Sequence, residues 1–225
     1  MSASNNDADI SLKHLRSTAR ISCYDIKKRR EMMIRRLFLL TVVVAALALS
    51  ATAQGLKIGA AMENFSLPDT NGKMQTLDAL KGEKGALIVF LSAQCPVVKA
   101  YHERINEIAA AYKAKGINVI GINSNATEDL NWVKSNIAEY RYEFPVLIDK
   151  NNVFADKLDA QSTPEVFYVD AARKLVYHGA IDNSRDANTV TQPYLKTAFD
   201  QSLSGKAVAQ PTTHAIGCTI KRANQ

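Results

Sequence analysis

Cysteine is scarce in this 225-residue chain, and its scarcity excludes two classes of protein. The only cysteines are Cys23, Cys95 and Cys218. Three are too few for a disulfide-stapled scaffold, and no C-x-x-C pair is present that could form half of a zinc site. The histidines share no ligand spacing either. We therefore expect neither a bound metal nor another cofactor.

The chain also lacks a long apolar run and a basic domain. Its apolar stretch at residues 37–49 falls short of the ~20 residues that cross a bilayer. The net charge is +6, but residues 1–53 alone hold nine Lys and Arg against four Asp and Glu. The other residues are almost balanced, so no basic patch indicates nucleic-acid binding. A composition of 47% hydrophobic and 22% charged residues is typical of a soluble globular protein.

The basic and apolar features at the start of the chain are typical of a signal peptide. Arg35-Arg36 precedes the apolar run 37–49, and Ala51-Thr52-Ala53 follows it as an Ala-x-Ala cleavage site. We predict a leader over 1–53 that is cleaved after Ala53, which places the mature protein in the periplasm or outside the cell. The alternative is an uncleaved leader, which would then be the chain's one attachment to a membrane. Export would make disulfide states accessible.

Residues 1–32 lie unusually far in front of that signal. They are polar and contain Cys23. We interpret them as a mis-assigned start and expect translation to begin at Met32 or Met33. An N-terminal sequence of the precursor beginning at Met1 or Ser2 would contradict this interpretation.

Cys95 lies where a buried strand turns into a helix. The apolar run 86–91 leads into it, and Pro96 occupies the first helical position, where its missing N–H would have no partner. A thiolate at a helix N-terminus faces free N–H groups and the positive end of the helix dipole, which lowers the pKa of the thiol. Lys99 and His102 project from the same side of the helix and could stabilise the thiolate. The alternative is a buried structural cysteine.

The remaining pattern predicts one α/β domain over 54–203 and a loop-like tail over 204–225. Strands and helices alternate, then two strands precede a last helix, which favours a central mixed sheet with helices on both faces. An Asn-Gly turn adds an N-terminal hairpin. The predicted elements are a hairpin over 65–80, strands 86–91, 117–122, 144–149, 163–170 and 174–179, and helices 96–114, 128–140 (capped by Thr127, with Leu130, Val133 and Ile137 inward), 152–158 and 192–203.

Three segments resemble the thioredoxin superfamily, and within it the redoxin family, which includes the alkyl hydroperoxide reductase and thiol-specific antioxidant proteins. They are IGAAMENFSLPDTNGKMQTLDALKG (58–82), ALIVFLSAQCPVVKAY (86–101) and STPEVFYVD (162–170). The pairing of Cys-Pro-x-x-Lys with a late Gly-Cys-x-Ile-Lys is similar to a peroxiredoxin-like subgroup. The resemblance implies a thioredoxin-like fold. It also implies a cis bond at Thr163-Pro164, in a loop that lies over Cys95 and whose backbone can pair with a substrate chain.

The chain departs from both catalytic patterns that belong to the resembled superfamily. A thioredoxin site has Trp-Cys-x-x-Cys, whereas Gln94 precedes Cys95 here and Val98 replaces the second cysteine. A peroxiredoxin site has Pro-x-x-x-Thr-x-x-Cys, whereas Ile88 and Ser92 stand at the proline and threonine positions. Thr163-Pro164 stands where peroxiredoxins carry an arginine.

Cys218 is then the one other cysteine of the mature chain. Gly217 precedes it, so that the tail could bring this thiol to Cys95 as a resolving cysteine. A static disulfide with Cys95 and an intermolecular disulfide are the alternatives, because sequence does not supply the distance that a disulfide requires.

Three functions follow from these residues. The first is an exported thiol-disulfide oxidoreductase or antioxidant protein in which Cys95 is the nucleophile and Cys218 resolves the intermediate. Its partners would be protein or small-molecule thiols and disulfides. The second is a thiol peroxidase with an atypical pocket, whose substrates would be peroxides. The third is a non-catalytic binding module in which Cys95 and Cys218 form a structural bond.

Overall fold

The computed structural model describes residues 29–30, 32–36 and 55–223. Residues 29–30 and 32–36 are helical and belong to a separate unit from the one that holds 55–223. Within these described ranges no helix is both long and apolar enough to cross a membrane. The apolar run, the cleavage site after Ala53 and Cys23 lie outside the described residues.

The centre of the fold is a five-stranded mixed sheet. The strands of the structure are β1 (Ser66–Pro68), β2 (Met74–Thr76), β3 (Gly85–Leu91), β4 (Ile117–Asn123), β5 (Val146–Ile148), β6 (Ser162–Thr163), β7 (Glu165–Asp170), β8 (Leu175–Gly179) and β9 (Cys218–Thr219). The central sheet has the order β5-β4-β3-β7-β8. Strand β3 pairs in parallel with β4 and antiparallel with β7, and β8 closes the other edge antiparallel to β7. Strands β1 and β2 form the N-terminal hairpin, and β6 pairs with β9.

Helices cover both faces of this sheet. They are α1 (Leu77–Leu80), α2 (Pro96–Lys113), α3 (Leu130–Tyr140), α4 (Val153–Leu158) and α5 (Tyr194–Leu203). Alternate residues of β3 point to opposite faces, as the period of a strand requires. Leu87 and Val89 enter a core with α2, α3 and α5, whereas Ile88 and Phe90 enter a second core with α1 and α4. The predicted fold class, a mixed sheet with helices on both faces and an N-terminal hairpin, is confirmed.

Two details of the predicted elements are wrong. Helix α3 begins at Leu130 and is capped by Asp129, whose carboxylate accepts a hydrogen bond from the N–H of Trp132 at 2.9 Å. Asp competes well for this position, and Thr127 therefore lies before the helix. Leu130 is 45% exposed and does not face the core, although Val133 does.

The second half of the hairpin also differs from the prediction. Strand β2 ends at Thr76, and Leu77–Leu80 form a helical turn in place of extended chain. The Thr76 hydroxyl caps this turn by accepting a hydrogen bond from Ala79 N at 3.2 Å. A Thr followed by helix-favouring residues is an N-cap signal that outweighs continuation of the strand.

Candidate active site

Cys95 is the N-cap residue of α2. Its backbone is extended, its side chain makes no capping hydrogen bond, and Pro96 follows it at the first helical position. The residue is 4% exposed and lies in the core that α2 shares with α3 and α5. The predicted strand-to-helix position is therefore confirmed, and the sulfur lies at the positive end of an 18-residue helix.

The loop before Cys95 is held by the carboxylate of Glu128. The hydroxyl of Ser92 donates to this carboxylate at 2.5 Å, and the N–H groups of Ala93 and Gln94 donate at 2.8 Å and 3.1 Å. The side-chain amide of Asn123, the last residue of β4, donates at 2.6 Å. One side chain from the neighbouring strand-helix connection thus fixes the three residues that lead into Cys95.

The loop between β6 and β7 lies against the sulfur of Cys95. The Thr163–Pro164 peptide bond is cis, as the resemblance implies. The carbonyl oxygen of Thr163, which is itself buried, lies 3.2 Å from Cys95 Sγ. The structure therefore brings the predicted proline loop and the predicted cysteine together.

The buried side chain of Glu165 supports this loop. The Glu165 carboxylate accepts hydrogen bonds from the N–H groups of Gln161 and Ser162 at 2.7 Å and 2.8 Å, and its other oxygen lies 2.6 Å from His178 Nε2. Burial raises the pKa of Glu165, but the hydrogen bonds from His178, Ser162 and Gln161 outweigh it, so the pKa lies below its usual value. The loop is therefore braced by an ionised carboxylate.

The tail that carries Cys218 is docked before it reaches that cysteine. The main-chain N–H of His178 in β8 donates to the carbonyl of Pro211 at 2.9 Å, and the main-chain carbonyl of His178 accepts from the N–H of Thr213 at 3.0 Å. The hydroxyl of Thr213 accepts from Ala180 N at 2.9 Å and lies 2.5 Å from the hydroxyl of Tyr177. These contacts fix the tail along the edge strand of the sheet.

The tail is docked again after Cys218. Ile220 is 1% exposed and packs into the second core, and its N–H donates to Gln161 O at 2.9 Å. The main chain of Lys221 donates its N–H to the Asn125 side chain at 3.1 Å and accepts from Ala126 N at 2.9 Å. The other end of Asn125 donates to Leu91 O at 3.2 Å, so this residue joins the tail to the end of β3.

Docking on both sides places Cys218 beside Cys95. Strand β9 pairs antiparallel with β6, with Cys218 opposite Thr163. The two cysteines form a disulfide with a Cα–Cα distance of 5.9 Å, which is a common separation for such a bond. Gly217 is required there, because a β-carbon at this position would collide with the carbonyl of Thr163. The structure therefore shows the intramolecular bond to Cys95 that both the resolving and the static alternatives require, and not an intermolecular disulfide.

Lys99 and His102 are not brought to the sulfur. Lys99 is exposed and hydrogen-bonds to Cys95 through the main chain, where its N–H donates to Cys95 O at 3.1 Å. Among the described side-chain hydrogen bonds, the one at Cys95 Sγ is to Thr163 O and none comes from Lys99 or His102. The His102 ring stacks on Tyr140 at a centroid distance of 4.5 Å, and its Nδ1 lies 2.6 Å from Lys99 O. His102 therefore packs toward the end of α3 and not against the sulfur.

Sequence reasoning missed the residues that position the two cysteines. Glu128, Asn125 and Glu165 each hold a loop at the site, and all three use a side chain to satisfy main-chain groups of another segment. One signal was available in the sequence. Asn123, Asn125 and Glu128 follow a buried strand at the same sheet edge as Cys95, where polar side chains converge in α/β folds.

Curated relatives of the chain are named as thiol-disulfide oxidoreductases. ResA of Bacillus subtilis (strain 168) is 31% identical over 160 residues, which cover 67% of this chain and 86% of the relative. ResA of a Bacillus cereus strain is 29% identical over 157 residues, which cover 67% of this chain and 88% of the relative.

Two solved structures share the fold over most of its length. A hypothetical protein of Sinorhizobium meliloti 1021 has a TM-score of 0.70 and 35% identity, covering 76% of this chain and 98% of that one. An uncharacterized conserved protein of Geobacillus kaustophilus has a TM-score of 0.70 and 30% identity, covering 76% and 94%. The Redoxin family model matches residues 57–193. That match spans more than half of the sequence and includes the Cys95 helix and the proline loop, so the chain belongs to the redoxin family.

Proposed function

We propose that the chain is a thiol-disulfide oxidoreductase whose redox couple is the pair Cys95 and Cys218. One observation carries the proposal, namely that a cysteine at a helix N-terminus is bonded to a cysteine that a docked tail delivers from 123 residues away. The helix dipole stabilises the thiolate of Cys95. A stabilised thiolate is a better leaving group, and it is also more populated as a nucleophile at neutral pH.

The reaction is exchange between this disulfide and external thiols. Two external thiols are oxidised to a disulfide while the Cys95–Cys218 bond is reduced to two thiols, and the reverse reaction oxidises the protein. In the reduced state Cys95 supplies the activated thiolate and Cys218 is the second thiol of the couple. The names of the ResA relatives support this chemistry.

Peroxide is the less well supported substrate. A peroxide site needs hydrogen-bond donors that are free to face the reactive sulfur. Here the hydroxyl of Ser92 and the N–H groups of Ala93 and Gln94 all donate to Glu128. These donors precede Cys95 directly, and their engagement favours disulfide exchange over peroxide reduction.

The test measures the thiol pKa of Cys95 and the rates at which the reduced protein reacts with a disulfide and with hydrogen peroxide. It uses the reduced full-length chain in a Cys23→Ser background, with Cys218→Ser as the matched variant. We expect a pKa below the ~8.5 of a free thiol and faster reaction with the disulfide. Faster reaction with peroxide would favour the peroxidase. An unperturbed pKa without exchange would leave the non-catalytic binding module.

We further propose that the protein is exported, with residues 1–53 as the leader. The basic residues, the apolar run and the Ala-x-Ala site support export, and a disulfide couple suits an oxidising compartment. Mass spectrometry of the mature protein from the periplasm or medium is expected to give Gln54 as the first residue. A protein that keeps the leader and stays with the membrane fraction would contradict cleavage.

A further inference from the structure

The two cysteine residues of the disulfide differ in their exposure to solvent. Cys95 is 4% exposed and packs in the core below α2, with the Thr163 carbonyl 3.2 Å from its sulfur. Cys218 is partly exposed, and Ile216, two residues before it, is 58% exposed. An external thiolate therefore has a short path to Cys218 and none through the packed residues around Cys95.

The geometry of the reaction strengthens this difference. In thiol-disulfide exchange the attacking, central and leaving sulfurs lie nearly in one line. A buried residue leaves little room for such a line of approach, and Cys95 belongs to a buried cluster. Cys218 is partly exposed and packs against that cluster from outside it. The exposures of the two residues thus favour attack on Cys218.

The tail also limits which partners can approach. Strand β9 already pairs with β6, so the backbone next to Thr163 has no free edge for a partner strand. The contacts that hold β9, through Thr213 on one side and Ile220 on the other, do not involve the disulfide, so reduction of that bond breaks none of them. A partner thus meets a sulfur on a closed surface, which suits a compact thiol better than an extended polypeptide.

We infer that Cys218 is the cysteine that forms the mixed disulfide with the external partner, and that compact thiols are the partners that reach it. The external thiolate attacks Cys218 Sγ, a new S–S bond forms, and the Cys95–Cys218 bond breaks. The bond electrons leave on Cys95 as a thiolate at the N-terminus of α2. A second external thiol, after losing its proton, attacks the sulfur of the first, which releases their disulfide and the Cys218 thiolate. That thiolate takes up a proton.

In the oxidising direction the same steps run backwards. The Cys218 thiolate attacks the external disulfide and releases one external thiolate, and the Cys95 thiolate then attacks Cys218 Sγ, which closes the internal bond and releases the second external thiolate. Cys95 remains the activated nucleophile of the couple, but it acts inside the protein. The sequence predicts Cys218 as the resolving thiol, and the exposures favour the opposite order. This inference rests on the proposed exchange function.

The experiment maps the adduct directly with glutathione as the probe. The oxidised full-length chain in a Cys23→Ser background is mixed briefly with glutathione, quenched in acid and blocked with a maleimide. Peptide mass spectrometry then locates the glutathione and the maleimide. We expect glutathione on Cys218 and maleimide on Cys95. Glutathione on Cys95 would overturn the inference and leave the exchange function standing.

Single-cysteine variants give the second measurement. Cys95→Ser and Cys218→Ser, both reduced, are treated with glutathione disulfide. We expect the Cys218 adduct to form at least ~10 times faster per thiolate than the Cys95 adduct, because access controls attack as well as thiolate fraction. Equal or reversed rates would overturn the inference. A native disulfide that glutathione never opens would instead contradict the exchange function itself.

The partner class is tested with a folded protein dithiol. Reduced thioredoxin and glutathione, compared at equal thiolate concentration, are expected to reduce the native disulfide at rates that favour glutathione. A marked preference for the protein dithiol would show that the docked tail does not exclude polypeptides and would overturn the compact-thiol part of the inference.

Discussion

Replacing Ile220 with alanine tests whether packing of the tail sets the strength of the disulfide. Ile220 is 1% exposed and fills part of the second core, two residues beyond Cys218. In the reduced protein this packing keeps the Cys218 thiol near Cys95, which raises its effective concentration. The variant should therefore weaken the disulfide without touching either cysteine.

The size of the effect follows from burial. Truncation of a buried Ile to Ala costs about 2–5 kcal/mol. The disulfide holds the tail of the oxidised variant in place, so the oxidised protein bears this whole loss, whereas the reduced tail can undock and avoid it. If the reduced tail avoids the whole loss, the equilibrium constant for closing the disulfide drops by about 30-fold or more. The reduction potential then rises by about 40–110 mV, at 30 mV for each 1.4 kcal/mol. The rise is smaller by the free energy with which the reduced wild-type tail docks, because undocking forfeits that free energy.

The assay is a redox titration of the full-length chain in graded mixtures of thiol and disulfide, read by mass after alkylation. The matched control is Ile216→Ala, which changes the same residue type in the same tail on the other side of Cys218. Ile216 is 58% exposed, so its truncation should shift the potential by less than about 10 mV, as a surface change within ±0.5 kcal/mol predicts.

Two results would refute the reasoning. Equal potentials for Ile220→Ala and wild type would show that other contacts hold the tail. Equal shifts for Ile220→Ala and Ile216→Ala would show that burial does not matter. Circular dichroism and urea unfolding of the oxidised variants separate both outcomes from loss of the fold.

Three further predictions concern residues around the site. Glu128→Ala leaves the groups that lead into Cys95 without their acceptor and should cost about 1–3 kcal/mol in urea unfolding, while an unchanged midpoint would contradict its positioning role. Glu165 has a lowered pKa, so its contribution to stability is present above the ordinary pKa of 4.5 and is lost as pH falls through the folded value. The urea midpoint of Glu165→Gln should therefore fall less steeply than that of the wild type between pH 7 and pH 3, and identical pH dependences of the two midpoints would refute this. Burial and the nearby Asp182 raise the pKa of Tyr101 to about 12, so its hydroxyl stays protonated and donates to Asp182 at 3.0 Å. Tyr101→Phe should cost about 1 kcal/mol of unfolding free energy, and a neutral result would mean that Arg104 alone satisfies the aspartate.

The fold could be predicted from the sequence because its signals are local and repeated. The alternation in β3 and the spacing of Val98, Tyr101 and Ile105 in α2 each depend on one segment, and both were found as expected. Cys95 was located by the same means, since a strand end, a cysteine and a proline are adjacent in the chain.

The surroundings of Cys95 could not be predicted in this way. Glu128, Asn125 and Ile220 act on segments that are distant in sequence, and their roles depend on how β4, β6 and the tail meet at one edge of the sheet. The tail was expected to be loop-like, and its short main-chain pairings and its buried Ile220 follow no periodic pattern. Tertiary contact, not propensity, decides such a segment.

Reduction of the native disulfide by dithiothreitol without denaturant tests the proposed redox couple most directly. The oxidised full-length chain is incubated with the thiol at neutral pH, first in buffer alone and then across a series of urea concentrations below its unfolding midpoint. Thiols are counted by alkylation and mass. We predict that Cys95 and Cys218 become reduced in the folded protein, at a rate that does not depend on urea. Reduction that occurs only in step with unfolding would contradict it, because the bond would then be a structural one.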